Sequence, residues 1–222
     1  MKNEMFWEWF NSTAAPQLAK REVSFRKMFE YLDQVEGPLT IIETGCMREI
    51  GNWAGDGQST LLWDKYVEFS GNPNPLVLTV DLDPAATSAC KAMVSQRVQV
   101  QTGDSVAVLC EVARQLKRSG RMINLLYMDS YDVDWADPTL SAVHHLKELV
   151  SVSTALSPRT LVVVDDAPQM AYVAPDHSGQ YSIVISPKIS GKALFVAEYA
   201  RQVGAQLAFS HYQAGWLGMV KE

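Results

Sequence analysis

Cysteine is scarce in this 222-residue chain: Cys46, Cys90 and Cys110 are odd in number, far apart in sequence, and form no Cys-x-x-Cys pair. That excludes the usual zinc and dithiol motifs, and reduced thiols in a cytoplasmic setting are expected. Basic charge is also short, with 19 Lys and Arg against 25 Asp and Glu and a net charge of −6. A broad basic surface for nucleic acid or an anionic membrane is thereby excluded. No apolar run approaches the roughly 20 residues of a membrane span. Met1 to Phe10 is aromatic, but it carries Glu4 and Glu8 and no small-residue cleavage pattern, so it does not read as a signal peptide. Repeats, low-complexity tracts and long linkers are missing too. What remains is a chain 47% hydrophobic, able to bury a full core, and expected to form one domain with an N-terminal helical extension over residues 1–37. Phe6, Trp7, Trp9 and Phe10 could form the contact of a homodimer or a flap over a site. Packing back on the domain is the plainer reading.

Five hydrophobic runs each end at an acid: 39–42 at Glu43, 76–80 at Asp81, 98–103 at Asp104, 122–128 at Asp129, and 161–164 at Asp165-Asp166. Between them lie stretches long enough for crossover helices, predicted near 58–69, 85–95, 105–117 and 138–156. An entry helix over 17–35 precedes the first strand, and Gly37-Pro38 stops it. Asp83-Pro84 reads as an N-cap with proline at the first helical position. Such alternation predicts an α/β fold: a Rossmann-like, doubly wound, mainly parallel seven-stranded sheet closed by a C-terminal antiparallel hairpin over 206–212 and 216–220. The stretch from Ala167 to Ile189 holds three prolines, two tyrosines and a histidine without a clear period, so a long functional loop is expected there. A helix over 191–203 follows it.

In such a sheet the strand carboxyl ends share one rim, where ligands bind. A rim of carboxylates repels phosphate-rich ligands but suits hydroxyls, amines, a positive charge or a divalent metal. S-adenosylmethionine (SAM) fits that description better than NAD or ATP. Gly57-Gln58-Ser59 lacks the lysine of a P-loop, and Thr60 stands where a dinucleotide fingerprint needs its third glycine. Asp81 is placed to accept hydrogen bonds from both ribose hydroxyls, whereas helix capping is the favoured role of Asp83. Asp129, Asp165 and Asp166 are expected to meet on adjacent strands, and neither segment supplies a lysine or arginine to neutralise them. Three carboxylates in one place raise one another's pKa or recruit a cation, and magnesium is the expected ion. Facing water or capping a helix is the alternative.

Glu43-Thr44-Gly45, followed by Gly55-Asp56-Gly57-Gln58-Ser59-Thr60, resembles the first motif of class I SAM-dependent methyltransferases. The resemblance implies that Glu43, Gly45, Gly55, Gly57 and Ser59 lie near the methionine part of the cofactor, and that Asp104 and Ser105 lie near adenine; Asp104 reads equally as a helix cap. Tyr131 could stack on adenine or belong to the core. The pieces Leu78 to Pro84, Met128-Asp129 and Val164-Asp165-Asp166 are similar to the magnesium-dependent O-methyltransferases of the catechol O-methyltransferase type. There the matching residues bind ribose (Asp81) and the metal (Asp129, Asp165, Asp166), with Asp129 also next to the cofactor. His144 to Leu149 and Gly191-Lys192 also resemble cephalosporin-hydroxylase-like methyltransferases, more loosely.

Where the catechol enzymes place a lysine base, this chain has Asp132, and His177 and Lys192 are further candidates for that role. The function so implied is transfer of a methyl group from SAM, with Mg2+, to a hydroxyl of a small-molecule acceptor. The rival readings are a metal-independent or protein-directed methyltransferase, a haloacid-dehalogenase-like phosphatase built on Asp81-x-Asp83, and a non-catalytic SAM-binding module.

Overall fold

Strands that are apolar at successive positions can be buried on both faces, and the central strands of this sheet are built that way. The structure, a computed structural model, describes residues 3–175 and 177–221. Five parallel strands come first: β1 (Thr40–Thr44), β2 (Leu76–Asp81), β3 (Val98–Thr102), β4 (Leu125–Met128) and β5 (Leu161–Val164). After them come β6 (Gln169–Pro175), β7 (Tyr181–Ile189), β8 (Gln206–Ser210) and β9 (Ala214–Leu217). The large sheet runs β3-β2-β1-β4-β5-β9-β8, with β9 antiparallel to both its neighbours. This is the α/β, doubly wound, mainly parallel seven-stranded sheet with a C-terminal hairpin that the alternation predicts.

Alternate residues feed two cores. Ile42, Val80, Leu126, Met128, Val162 and Val164 face one side, covered chiefly by α5 (Ser105–Ser119), α6 (Thr139–Val152) and α7 (Leu194–Val203). Ile41, Val77, Leu125, Tyr127, Leu161 and Val163 face the other, covered by α2 (Glu22–Leu32), α3 (Ser59–Ser70) and the N-terminal segment with its helix α1 (Glu4–Trp9). The remaining crossover helix, α4 (Pro84–Met93), begins at proline with Asp83 as its cap, accepting from the Ala85 N–H at 2.8 Å.

The aromatic N-terminus packs back on the domain. Phe6 and Phe10 are fully buried; the Phe6 ring lies 4.6 Å from that of Phe29 and 5.0 Å from that of Tyr66. Trp7 donates through Nε1 to Asp33 at 2.7 Å. Residues 17–21 are 3-10 turns rather than the first turns of the entry helix, which starts at Glu22. No helix among the described residues is long and apolar enough to cross a membrane.

Two expectations need correction. The predicted long loop is instead a two-stranded ribbon, β6 against β7, paired from Gln169–Ile189 to Pro175–Tyr181. Pro175 and Pro187 argue against a strand, and Val184 interrupts the alternation, so the pattern hides it. The C-terminal hairpin turns at His211 to Gln213, and Ala214-Gly215 belong to β9. Gly215 is there because a side chain would overlap the Phe209 ring.

Candidate active site

Register sets the rim. Thr44 stands opposite Val80 on one side and Met128 on the other, and Met128 stands opposite Val164. One step further along each strand, Gly45, Asp81, Asp129 and Asp165 therefore share a single edge. The strand order reverses between β1 and β4, so Gly45 and Asp129 flank the topological switch point, where open α/β sheets bind ligands. Gly45 has φ +79°, and a Cβ there would overlap the Asp129 carbonyl. Only glycine lets the two loops approach this closely.

Asp81 is half-buried at this edge. Its Oδ2 accepts from the Cys46 N–H at 3.2 Å and its Oδ1 from the Asp83 N–H at 2.9 Å. A carboxylate has about four lone-pair positions, so two backbone bonds fix its plane and leave further acceptor capacity.

Other residues of the predicted site are committed to the fold, and Glu43 lies within β1, two positions short of the rim. Glu43 is fully buried, with Oε2 accepting from Thr60 Oγ1 at 2.5 Å and Oε1 from Trp63 Nε1 at 2.9 Å. Burial raises its pKa, against the pull of these hydrogen bonds. It ties β1 to α3 and offers the rim no free carboxylate. Ser59 opens α3 and is buried, Gly55 packs against the Asn52 side chain, and Gly57, at φ +77°, packs against that of Arg21. Asp104 caps α5, accepting from the Ala107 N–H at 2.8 Å. Buried Ser105 places Oγ 3.0 Å from His144 Nε2. The Tyr131 ring is exposed and lies 5.4 Å from the His144 ring.

Asp129, Asp165 and Asp166 do come together, but not alone. Asp165 has no exposed surface; its Oδ2 accepts from Arg21 Nε at 2.8 Å and the Tyr127 hydroxyl at 3.0 Å, and its Oδ1 from the Asp166 N–H at 2.7 Å. Lys192, also buried, donates from Nζ to Asp129 Oδ1 and lies 3.1 Å from Asp166 Oδ2. Asp166 also accepts from the Tyr212 hydroxyl and stands 3.6 Å from Arg21 Nη2. Gly191, at φ +62°, lets the Lys192 backbone close onto the Asp166 carbonyl with a 3.1 Å hydrogen bond.

Three carboxylates thus meet two buried cations, with a third cation, Lys20, placing Nζ 3.5 Å from the centroid of the Tyr212 ring. Burial pushes Asp129 well above the usual carboxylate range, Lys192 opposes this, and Asp165 and Asp166 add to it. Burial would lower the Lys192 pKa, but Asp129 and Asp166 hold it above the ordinary lysine value, so the ammonium stays charged. Burial likewise raises Asp166, yet Lys192, Tyr212 and Arg21 bring it below the ordinary value.

This charge pattern corrects the expectation of an unneutralised acidic trio. Mg2+ demands a near-octahedral shell of oxygens. Here an ammonium bridges Asp129 and Asp166, and all of Asp165's bonding is turned inward. The residues as arranged do not fit a divalent ion, and among the described residues no three His, Cys, Asp or Glu side chains are set to hold one.

The three candidate bases part company. Lys192 is in the cluster as a buried cation. Asp132 is exposed and takes a 3.1 Å contact from Arg48 Nη1. His177 is exposed just past β6, about 20 Å from the ribbon's root at ~3.3 Å per residue.

Several residues carried no readable signal. Arg21 lies 144 positions from Asp165. Tyr127 and Gln213 form a buried 2.6 Å pair beneath the cluster. Glu148, fully buried, accepts from Thr44 Oγ1 at 3.0 Å and Ser130 Oγ at 2.6 Å, and lies 3.2 Å from His144 Nε2. Burial works against its charge, but the His144 and serine contacts hold its pKa low. The clues to this pair were its spacing of four and its place in the stretch His144 to Leu149 that resembles cephalosporin-hydroxylase-like methyltransferases. Two large clefts, of about 660 and 750 Å3, lie at the opposite, amino-terminal ends of the strands and contain none of the rim acids.

No family model matches this chain, and no curated protein matches it. Its structure is similar, at low identity, to solved ones. A glycopeptide N-methyltransferase, MtfA, complexed with S-adenosyl-L-homocysteine (SAH), is 12% identical over 92% of this chain and 89% of that one, with a TM-score of 0.47. A DhpI–SAH complex is 11% identical over 98% and 95%, with a TM-score of 0.46. The MycE methyltransferase from the mycinamycin biosynthetic pathway, with Mg, SAH and mycinamycin VI, is 14% identical over 75% of this chain, with a TM-score of 0.46. The match spans 30% and 37% of the two MycE chains.

Proposed function

We propose that this protein transfers a methyl group from SAM to a hydroxyl of a small-molecule acceptor, with the cofactor lying across the switch point. One observation carries the reading: Asp81, held in plane by two backbone N–H groups, shares an edge with the close Gly45–Asp129 approach. Asp81 would accept from the two ribose hydroxyls, and the glycine turn admits the methionine end. Asp104, Ser105 and Tyr131 stand near the adenine end.

The Asp129 carboxylate at the switch point suits a sulfonium cation. Asp129, one step past Met128 at the switch point, is the rim carboxylate placed to take the acceptor's proton. In the transfer, an acceptor oxygen lone pair forms the new C–O bond while the S–CH3 bond breaks. The hydroxyl proton passes to Asp129, leaving SAH and a methyl ether. Positioning supplies most of the rate in such a direct displacement.

The magnesium-dependent version of this reading has no open ligand set among Asp129, Asp165 and Asp166, so no step is routed through a metal. The metal-free version is favoured by the Lys192 ammonium already standing between two of the acids. The test is to incubate the protein with SAM labelled in its methyl group and a panel of hydroxylated small molecules, with and without EDTA. Label should enter a methyl ether at equal rates in both arms. No transfer to any hydroxyl, or transfer only to amines, would overturn the reading, and loss of transfer in EDTA would overturn its metal-free form.

A further inference from the structure

The ribbon formed by β6 and β7 has an apolar face that nothing covers among the described residues. Directly opposed residues of an antiparallel pair share a face, as do every second residue along a strand. The pairs Ala171–Ile185, Val173–Ile183 and Pro175–Tyr181 therefore place six apolar side chains on one side. Tyr181 is 77% exposed, Ile183 74%, Ile185 67% and Val173 65%. Beyond each other, neither strand packs extensively on any other element among the described residues. An isolated two-stranded ribbon is marginal in water, so this one calls for a cover from outside its own fold.

Where the apolar stripe leads indicates what the cover is. Further along β7, Pro187 and Ile189 line a cleft of about 570 Å3, completed by Leu194, Phe195, Leu207 and Trp216. That cleft lies at the β8 edge of the sheet, remote from the β1–β2 rim that carries Asp81.

Ribbon and cleft are contiguous on one subunit. A twofold axis through their boundary would carry each ribbon over the other subunit's cleft, a closed and self-complementary contact. Each ribbon face exposes roughly 500 Å2, at the top of what monomers usually show in one patch. Two faces with the clefts they would cover reach about 1,200 Å2 or more, the lower bound of a standard interface. We propose that this face is the interface of a homodimer in which each subunit's β6–β7 ribbon docks into the partner's cleft between β7, α7 and β8.

Analytical ultracentrifugation of the full chain at micromolar concentration tests this. The wild type should sediment as a dimer. Ile183→Ser/Ile185→Ser should sediment as a monomer with an unchanged far-UV circular dichroism spectrum. If that variant does not fold, Tyr181→Arg, at the most exposed of the four positions, should give the same dissociation. A monomeric wild type overturns the proposal, as does a dimer that survives folded variants. A monomer whose ribbon gains protease protection on adding SAM, or binds lipid vesicles, would assign the face to a lid or a membrane contact instead.

Discussion

Replacing Arg21 with methionine should destabilise the protein by about 3–5 kcal/mol, the usual cost of removing one partner from a buried ion pair. The figure follows from the geometry around Asp165. That side chain is wholly buried, and Arg21 Nε at 2.8 Å is the cation hydrogen-bonded to it. The Tyr127 hydroxyl and the Asp166 N–H remain in the variant, but neither carries charge. Arg21 also bridges to the Ala54 carbonyl at 3.1 Å, so the 46–58 loop loses an anchor.

With m about 2–3 kcal/mol/M in urea, the unfolding midpoint should fall by roughly 1–2 M. A second variant separates charge from packing. Asp165→Asn in the Arg21→Met background removes the orphaned carboxylate and should recover about 2 kcal/mol or more, a coupling of the size expected for residues in direct contact. If Arg21→Met cost under about 1 kcal/mol, or Asp165→Asn gave no recovery, Asp165 would not be the buried, Arg21-neutralised acid described here.

Lys192→Met should remove the ammonium between Asp129 and Asp166 and open those acids to a divalent ion. In electron paramagnetic resonance the free Mn2+ signal should persist with the wild type and fall with the variant; uptake by the wild type would refute the view that lysine holds that place. His145 is fully buried, and burial pushes its pKa down to about 4 from 6.5. The unfolded chain therefore binds the extra proton first. The stability that this histidine contributes is complete above pH ~6.5 and is lost as pH falls towards ~4, by about 3 kcal/mol in all. Melting temperatures across that window should fall more steeply for the wild type than for His145→Gln, and parallel curves would contradict this.

The sheet was legible because its central strands are apolar at successive positions and acids stand at or near the ends of the five parallel runs, a pattern that follows from burial on both faces and a shared polar rim. What those acids do was less legible. Glu43 follows an apolar run as Asp81 does, yet it lies within β1 opposite Thr79, two positions short of the rim, and its side chain bonds Thr60 and Trp63 while Asp81 stays at the edge. An acid after an apolar run marks the rim only where pairing with the neighbouring strand brings it to the strand end, and that register is not written locally.

The acidic trio was found, and its neutralisation was not, because Arg21 and Lys192 reach it from 144 and 63 positions away. No local spacing encodes such pairs. The ribbon escaped notice for a different reason: Val184 breaks its alternation, and Pro175 and Pro187 look like loop signals.

Calorimetric titration with SAM tests the central claim most directly. The wild type should bind one equivalent, and Asp81→Asn, which keeps the side-chain shape but removes the charge from the proposed ribose acceptor, should bind at least about tenfold more weakly, or ~1.4 kcal/mol. A wild type that takes up no SAM, or a variant that binds it equally well, would contradict the placement of the cofactor at this rim.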